Sequence, residues 1–356
     1  MEEDINKKRE LVRMAYRFIL GREPESESHL DGWLPLFINY HDLRIAFLNS
    51  PEFQIISSNR YKPLINLPNT IITTFEEFDE FICRYRNREM YGLDDVEFLS
   101  SYQLDFQSFL KIFGRPMPKC DPFSLRYAEW EMELFNFLSG EKYDVASEGI
   151  DHETDPAKSG QPSINDLQML KDMYNEFFKL SKIKPHEHVL EMGCGAGNLT
   201  EFLVRQGCKV TAIDAQKAHI DFTAKRCGYD ANVIQCEFLE IEKIDSTFDV
   251  VIFEASFHHC GQPQRLLESL RKITTLNCRI YFLRECISAS YDRPWGIVRY
   301  DGETMLQIRM RGWLELGFRT DFFKAALNRV DFRLSDVIEL SDKSVLYEVV
   351  KKRNNK

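Results

Sequence analysis

Apolar residues near the start of the chain recur at helical spacing. Leu11, Ala15, Phe18 and Ile19 share one face, Leu30, Trp33, Leu34 and Phe37 a second, and Leu43, Ala46 and Phe47 a third. Turn signals at Gly21–Pro24 and Asn49–Glu52 separate them, so the pattern predicts a small all-α domain over residues 1–62. Residues 63–121 are mixed, with a helix-like stretch at Phe75–Arg86 and proline breaks at Pro68 and Gly114–Pro118, and read as a connecting region. A helix is expected at Leu125–Leu138. The polar stretch Ser147–Pro162 follows, either a lid or a plain flexible connection, and then a helix at Asp166–Leu180. Beyond it the pattern changes. Short continuous apolar runs ending near Met192, Asp214, Cys236, Glu254 and Leu283 alternate with helical stretches, as buried parallel strands do. Helices are predicted at Glu303–Leu316 and Asp321–Val330. Two last runs, Phe332–Leu340 and Ser344–Lys351, flank the turn Ser341–Lys343 and predict a hairpin.

The run Val189–Met192 ends in three glycines spaced two apart, Gly193, Gly195 and Gly197, before helical spacing resumes at Leu199. Backbone without Cβ atoms lets a ligand approach closely, and the helix that starts there offers unpaired amide donors. Asp214, ending the next strand, places a carboxylate where a ribose diol would sit. A dinucleotide turn is normally G-x-G-x-x-G; here the third glycine comes one residue early. Glu191, just before the turn, would repel a pyrophosphate and suits a ligand with a free ammonium, which argues against a nicotinamide dinucleotide. Past the third strand, Glu237 can accept from an adenine amino group while Phe238 offers a backbone donor and an apolar face. The fourth strand ends in Glu254, His258 and His259, at the carboxyl end where ligands bind in such sheets.

These residues together resemble the class I S-adenosylmethionine-dependent methyltransferases: E-x-G-x-G-x-G at Glu191–Gly197, the second-strand acid Asp214, the third-strand acid Glu237 and the fourth-strand segment Asp249–Cys260. The resemblance covers roughly residues 165–351. It implies an α/β fold, a doubly wound, mostly parallel seven-stranded sheet closed by an antiparallel hairpin, in a methyltransferase domain spanning 122–356. The cofactor core would lie at about 165–290 and the substrate helices and hairpin at 291–351. It further implies S-adenosylmethionine as cofactor. Glu191, Gly193, Cys194, Gly195 and Gly197 would hold its methionine part, Asp214 and Ala215 the ribose, Glu237 and Phe238 the adenine, with Glu254 at the edge of the same pocket. No metal is assigned.

Two looser resemblances bear on the acceptor and on the N-terminal unit. The words Glu254–Cys260, Pro294–Gly296, Asp301–Glu303 and Gly312–Phe318 are similar to methyltransferases associated with bacterial surface-polysaccharide glycosyltransferases, which implies a carbohydrate hydroxyl as acceptor. An aliphatic hydroxyl needs a base as the methyl transfers; His258 or His259, with Glu254 beside them, are the candidates. Trp295 would stack on a sugar face, and Arg293, Arg299, Arg309 and Arg311 would pair with an acidic sugar or phosphate. Tyr16–Pro24 with Phe47–Phe53 resembles a helical domain of unassigned function related to phycobilisome linkers, implying a protein partner or self-association rather than chemistry.

Charge and composition narrow the acceptor further. Residues 1–125 carry 15 Lys and Arg against 20 Asp and Glu, and the remainder 31 against 36, so neither half is a polyanion clamp. Glu254-Ala-Ser-Phe257 also lacks the acid-or-Asn, Pro, Pro, aromatic sequence of base N-methyltransferases, so nucleic acid is not expected as a partner. No apolar run approaches ~18 residues and the N-terminus lacks a leader's basic and apolar regions; the expectation is a cytoplasmic protein, at most peripheral to a membrane-bound glycan assembly. Nine scattered cysteines without a C-x-x-C pair read as reduced thiols. A small-molecule or protein methyltransferase and a non-catalytic cofactor-binding scaffold remain the alternatives.

Overall fold

The computed structural model describes residues 2–16, 24, 26–34, 47, 70–86, 102–145, 148, 164–300 and 302–352. The chain divides into two compact units, 1–103 and 104–356.

In the first unit, helices Glu2–Ala15 and Glu27–Trp33 bury Val12, Tyr16 and Leu30 together with Phe47. Trp33 stacks on Phe47 with ring centroids 4.0 Å apart and donates to the Tyr16 hydroxyl at 3.0 Å. The helix Phe75–Arg86 forms where the spacing places it, with Phe78, Phe81, Ile82 and Tyr85 buried on one face. Phe18, Ile19, Phe37, Leu43 and Ala46, assigned above to the same helical domain, lie outside the described residues.

The second unit is built on a seven-stranded sheet: β1 His188–Met192, β2 Lys209–Asp214, β3 Ala231–Gln235, β4 Phe248–Glu254, β5 Thr274–Leu283, β6 Phe332–Glu339 and β7 Val345–Lys351. The spatial order is β6-β7-β5-β4-β1-β2-β3. β1 to β5 run parallel, and the β6–β7 hairpin closes the edge antiparallel, pairing Tyr347 with Phe282. The strands read as apolar runs because both faces are covered. One face takes Val189, Val210, Val250 and Tyr281 against Met173 and Phe177 of the helix Ile164–Ser181 and Leu199 and Leu203 of the helix Asn198–Arg205. On the other, Phe253 stacks on Phe282 at 5.0 Å, and Phe257 and Phe323 pack edge-on against Phe282. Each such buried side chain contributes about 1.5–3 kcal/mol. Strand order reverses between β1 and β4, which opens a crevice at their carboxyl ends, the place where such sheets bind ligands.

Within the second unit Phe113 packs on Trp130 and Phe137, and Phe106 stacks on Tyr300. Two features differ from the pattern reading. The helix expected at 303–316 is Gly302–Arg311: Gly312 adopts a left-handed φ of 64° and its amide closes on the Ile308 carbonyl, stopping the helix. The residues beyond it feed a small sheet of Ile287–Ser288, Trp295–Gly296 and Gly317–Arg319, strands too short to show a period. Among the described residues no helix is long and apolar enough to cross a membrane.

The helix Leu125–Ser139 is capped by Ser124, whose hydroxyl accepts from the Tyr127 amide, and ended by left-handed Gly140. Its Glu131 is 1 % exposed; it accepts from Arg293 Nη1 at 2.5 Å and from the Ile297 amide at 3.0 Å. Only glycine fits at 296, since a Cβ there would lie 2.1 Å from the Glu131 carboxyl carbon. That contact ties the helix to the segment beyond β5 and makes it a wall of the crevice.

Candidate active site

The glycine turn is held open by its backbone. Gly193, Gly195 and Gly197 all have left-handed φ, at 77°, 50° and 74°. A Cβ at Gly193 would sit 2.7 Å from the Ser256 Cβ, and one at Gly197 2.7 Å from the Thr223 side chain. The Gly193 and Cys194 amides both donate to the Ile213 carbonyl at 2.9 Å, so β2 fixes the turn. Asp214 completes it: one carboxylate oxygen accepts from the Gly195 amide at 2.9 Å, the other from the Gln216 amide at 2.8 Å, with His219 Nδ1 at 3.3 Å.

A cavity of about 980 Å³ opens from this turn, lined on the cofactor side by Gly193, Gly195, Asp214, Ala215, Glu237 and Phe238. Glu191, Cys194 and Gly197 stand outside that lining. Glu191 is 3 % exposed and accepts from Thr200 Oγ1 at 2.6 Å; burial pushes its carboxyl up to about 8, with neighbouring Glu254 and Asp214 adding to the rise. Cys194 turns its side chain into the core, and burial raises its thiol well above the usual range, so only its backbone faces the turn. Three carboxyl groups around one glycine turn fit a cationic ligand.

The two histidines stand in different surroundings. His258 is buried between carboxylates: Nδ1 lies 2.8 Å from Glu285 and Nε2 3.8 Å from Glu315. Glu285 also accepts from the amides of Ser256, Phe257 and His258; burial works to raise its carboxyl, but the charge and hydrogen bond of the His258 ring, with the Phe257 and Ser256 amides, hold it below the ordinary range. His259 instead faces the cavity. Its Nδ1 lies 3.2 Å from Glu148, which further accepts from the Leu314 amide at 2.7 Å and the Tyr143 hydroxyl at 3.0 Å. Burial pulls the His259 imidazole down, but the Glu148 hydrogen bond and the charges of Glu148, Glu315 and Glu285 outweigh it and push it up to about 9. Glu148 was not legible in the sequence. It lies in a polar stretch without period, and only the tertiary fold brings it to His259, 111 residues away.

Donor atoms of His258, His259 and Glu315 lie within 4.8 Å of one another. Arg299 already sets a cation on the Glu315 carboxylate at 3.2 Å, so the group is a network of ion pairs.

Several expected site residues need correcting. Glu254 does not join the histidines: it accepts from Tyr174 at 3.3 Å and Arg284 at 3.0 Å, beside Glu191. Trp295 is 3 % exposed, donates to the Pro122 carbonyl and packs on Tyr127 and Phe322, so it is wall and not a stacking platform in the main cavity. None of the four arginines lines that cavity. Arg293 bonds Glu131 and the Ile297 carbonyl, Arg299 bonds Glu315, Arg309 reaches the Leu138 carbonyl, and Arg311 lies over the Trp313 ring. Asp301 lies outside the described residues, as does the polar stretch 149–162.

Residues 189–276 match a family model described as a methyltransferase domain. With the sheet order and the glycine turn, this identifies a class I S-adenosylmethionine-dependent methyltransferase domain in the chain. Among curated proteins, the chain is similar to the mitochondrial ubiquinone biosynthesis O-methyltransferase of Schizosaccharomyces pombe, 28% identical over 157 residues, covering 40% of this chain and 57% of that protein. It is also similar to the ubiquinone biosynthesis O-methyltransferase of Rickettsia prowazekii, 32% identical over 107 residues, covering 29% and 39%. The chain thus spans about half the length of these curated relatives. A solved structure of magnesium protoporphyrin IX methyltransferase from Synechocystis with bound SAH aligns at 14% identity and a TM-score of 0.40, over 53% of this chain and 84% of that one. The CcbJ methyltransferase from Streptomyces caelestis aligns at 12% identity and a TM-score of 0.44, over 59% and 100%.

Proposed function

We propose that the protein transfers a methyl group from S-adenosylmethionine to an acceptor hydroxyl, with His259 as the proton acceptor and Glu148 holding its ring. The observation that carries this reading is one cavity lined both by the glycine turn with Asp214 and by the His259–Glu148 pair. When bound, the cofactor supplies an electrophilic methyl on a sulfonium. The residues around it bind and orient: Asp214 takes the ribose hydroxyls and Glu237 and Phe238 the adenine, while Glu191, buried just behind the lining, ionises as the ammonium arrives. The bound cofactor would give its methyl to the acceptor oxygen and leave as S-adenosylhomocysteine, while the hydroxyl proton would pass to the His259 ring nitrogen not held by Glu148. Because Glu148 holds Nδ1, the other ring nitrogen is the one left to take the proton.

A carbohydrate hydroxyl is the acceptor this reading favours, supported by the polysaccharide-associated wording of residues 254–260 and 312–318. The N-terminal helical unit would then bring the enzyme to its partner or to a second copy. A small-molecule acceptor is the second reading, favoured by relatives named for ubiquinone biosynthesis.

Incubation with methyl-labelled S-adenosylmethionine and a panel of oligosaccharides and phenols tests both. Label in a glycan supports the first, and label in a phenol alone the second. A His259→Ala protein that transfers as fast as wild type would contradict the assigned base.

A further inference from the structure

Charge in the acceptor region is segregated. Six carboxylates line the cavity, Glu129, Glu133, Asp144, Glu148, Asp214 and Glu237, and among the described lining residues there is no lysine or arginine. Asp214 and Glu237 belong to the cofactor end. Glu129 and Glu133 belong to the acceptor end: they stand one turn apart on the helix Leu125–Ser139, whose Ala128, Met132 and Asn136 share that face. The cations of the region are turned into the wall, Arg293 onto Glu131, Arg299 onto Glu315 and Arg309 onto the Leu138 carbonyl; Arg115 reaches Glu133 from outside the lining. Tyr143 and Trp313 complete the lining, Tyr143 with its hydroxyl on Glu148 and Trp313 with Arg311 over its ring.

From this segregation we infer that the acceptor carries a protonated amine, as an amino sugar does, and that phosphates and carboxylates are rejected. An anionic acceptor would enter a cavity lined by six carboxylates with no guanidinium or ammonium, where the His259 imidazolium is already held by Glu148. A cationic one would meet the carboxylates of Glu129 and Glu133, the latter shared with Arg115. The inference rests on the methyl-transfer reading and names its substrate class; it reverses the expectation that the arginines select an acidic sugar.

The test is calorimetric titration of the full chain saturated with S-adenosylhomocysteine, using three tetrasaccharides: the free-amine glucosamine tetramer, its N-acetylated form and tetragalacturonate. The amine tetramer should bind at least tenfold tighter than the N-acetylated one and lose affinity as salt rises, while the galacturonate should not bind. In the Glu129→Gln/Glu133→Gln protein the amine advantage should fall to about threefold or less, with S-adenosylhomocysteine affinity unchanged. Equal affinities for the first two sugars, preference for the galacturonate, no binding by any of them, or an amine advantage that survives the double substitution would each overturn the inference. Failure of S-adenosylhomocysteine to bind at the outset would instead strike the methyl-transfer reading itself.

Discussion

Glu191 is a carboxyl that burial keeps near the neutral form, at about 8, until a cation arrives. A bound ammonium stabilises the ionised form, so ligand binding lowers the group's pKa and releases a proton. Affinity for S-adenosylhomocysteine should therefore rise with pH up to about 8 and level off above it, by up to tenfold per unit. Calorimetry in buffers of different ionisation enthalpy reads the proton directly, and a flat profile from pH 6 to 9 would remove Glu191 from the site. The histidines separate by the same reasoning. With its pKa near 9, His259 is mostly imidazolium at neutral pH, and only its neutral form accepts a proton, so single-turnover transfer should climb as pH rises toward 9. Its replacement by alanine should cost about 10²–10⁴ in rate with little change in melting temperature. Replacing His258 should instead lower stability, because Glu285 and Glu315 lose the imidazole buried between them, at a cost of about 1–3 kcal/mol measured by denaturant unfolding. Reading residues in sequence found both histidines and could not choose between them. The choice depends on Glu148, Glu285 and Glu315, which come from three other parts of the chain.

Elements whose own period is strong were legible in advance: the helix Phe75–Arg86 appears at the predicted bounds, and the apolar run from Phe248 forms β4, which stops at Glu254 short of the histidines. Elements set by neighbours were not. The two- and three-residue strands at 287, 295 and 317 exist because they pair with one another, and no periodicity survives over so few residues. The helix Leu125–Ser139 was legible as a helix, yet its role as cavity wall rests on Glu131 reaching across to Arg293 and Ile297. Gly296→Ala tests that tie. Its φ of 118° and the missing space beside Glu131 should together cost roughly 1–3 kcal/mol, read as a lower melting temperature. Acceptor turnover should fall more than S-adenosylhomocysteine affinity, because the wall shifts and the glycine turn does not. A Gly296→Ala protein of wild-type stability would show that the helix is held some other way.

On the scale of the whole molecule, the family match and the glycine turn lie in residues 104–356, while the N-terminal unit brings a separate small core of Val12, Tyr16, Leu30 and Phe47. If that unit serves assembly or localisation, removal of residues 1–60 should leave turnover of a soluble acceptor within about twofold and abolish co-purification with a partner; lost turnover would place it in the active site. Every residue role above depends on the cofactor, and calorimetric titration with S-adenosylhomocysteine, run beside NAD and beside the Asp214→Ala protein, reads its binding without an acceptor. One micromolar site is expected for S-adenosylhomocysteine and none for NAD, with a loss of at least tenfold, about 1.4 kcal/mol, on removing Asp214 from a protein that still melts cooperatively. No binding, or binding that the substitution leaves untouched, would contradict the assigned cofactor.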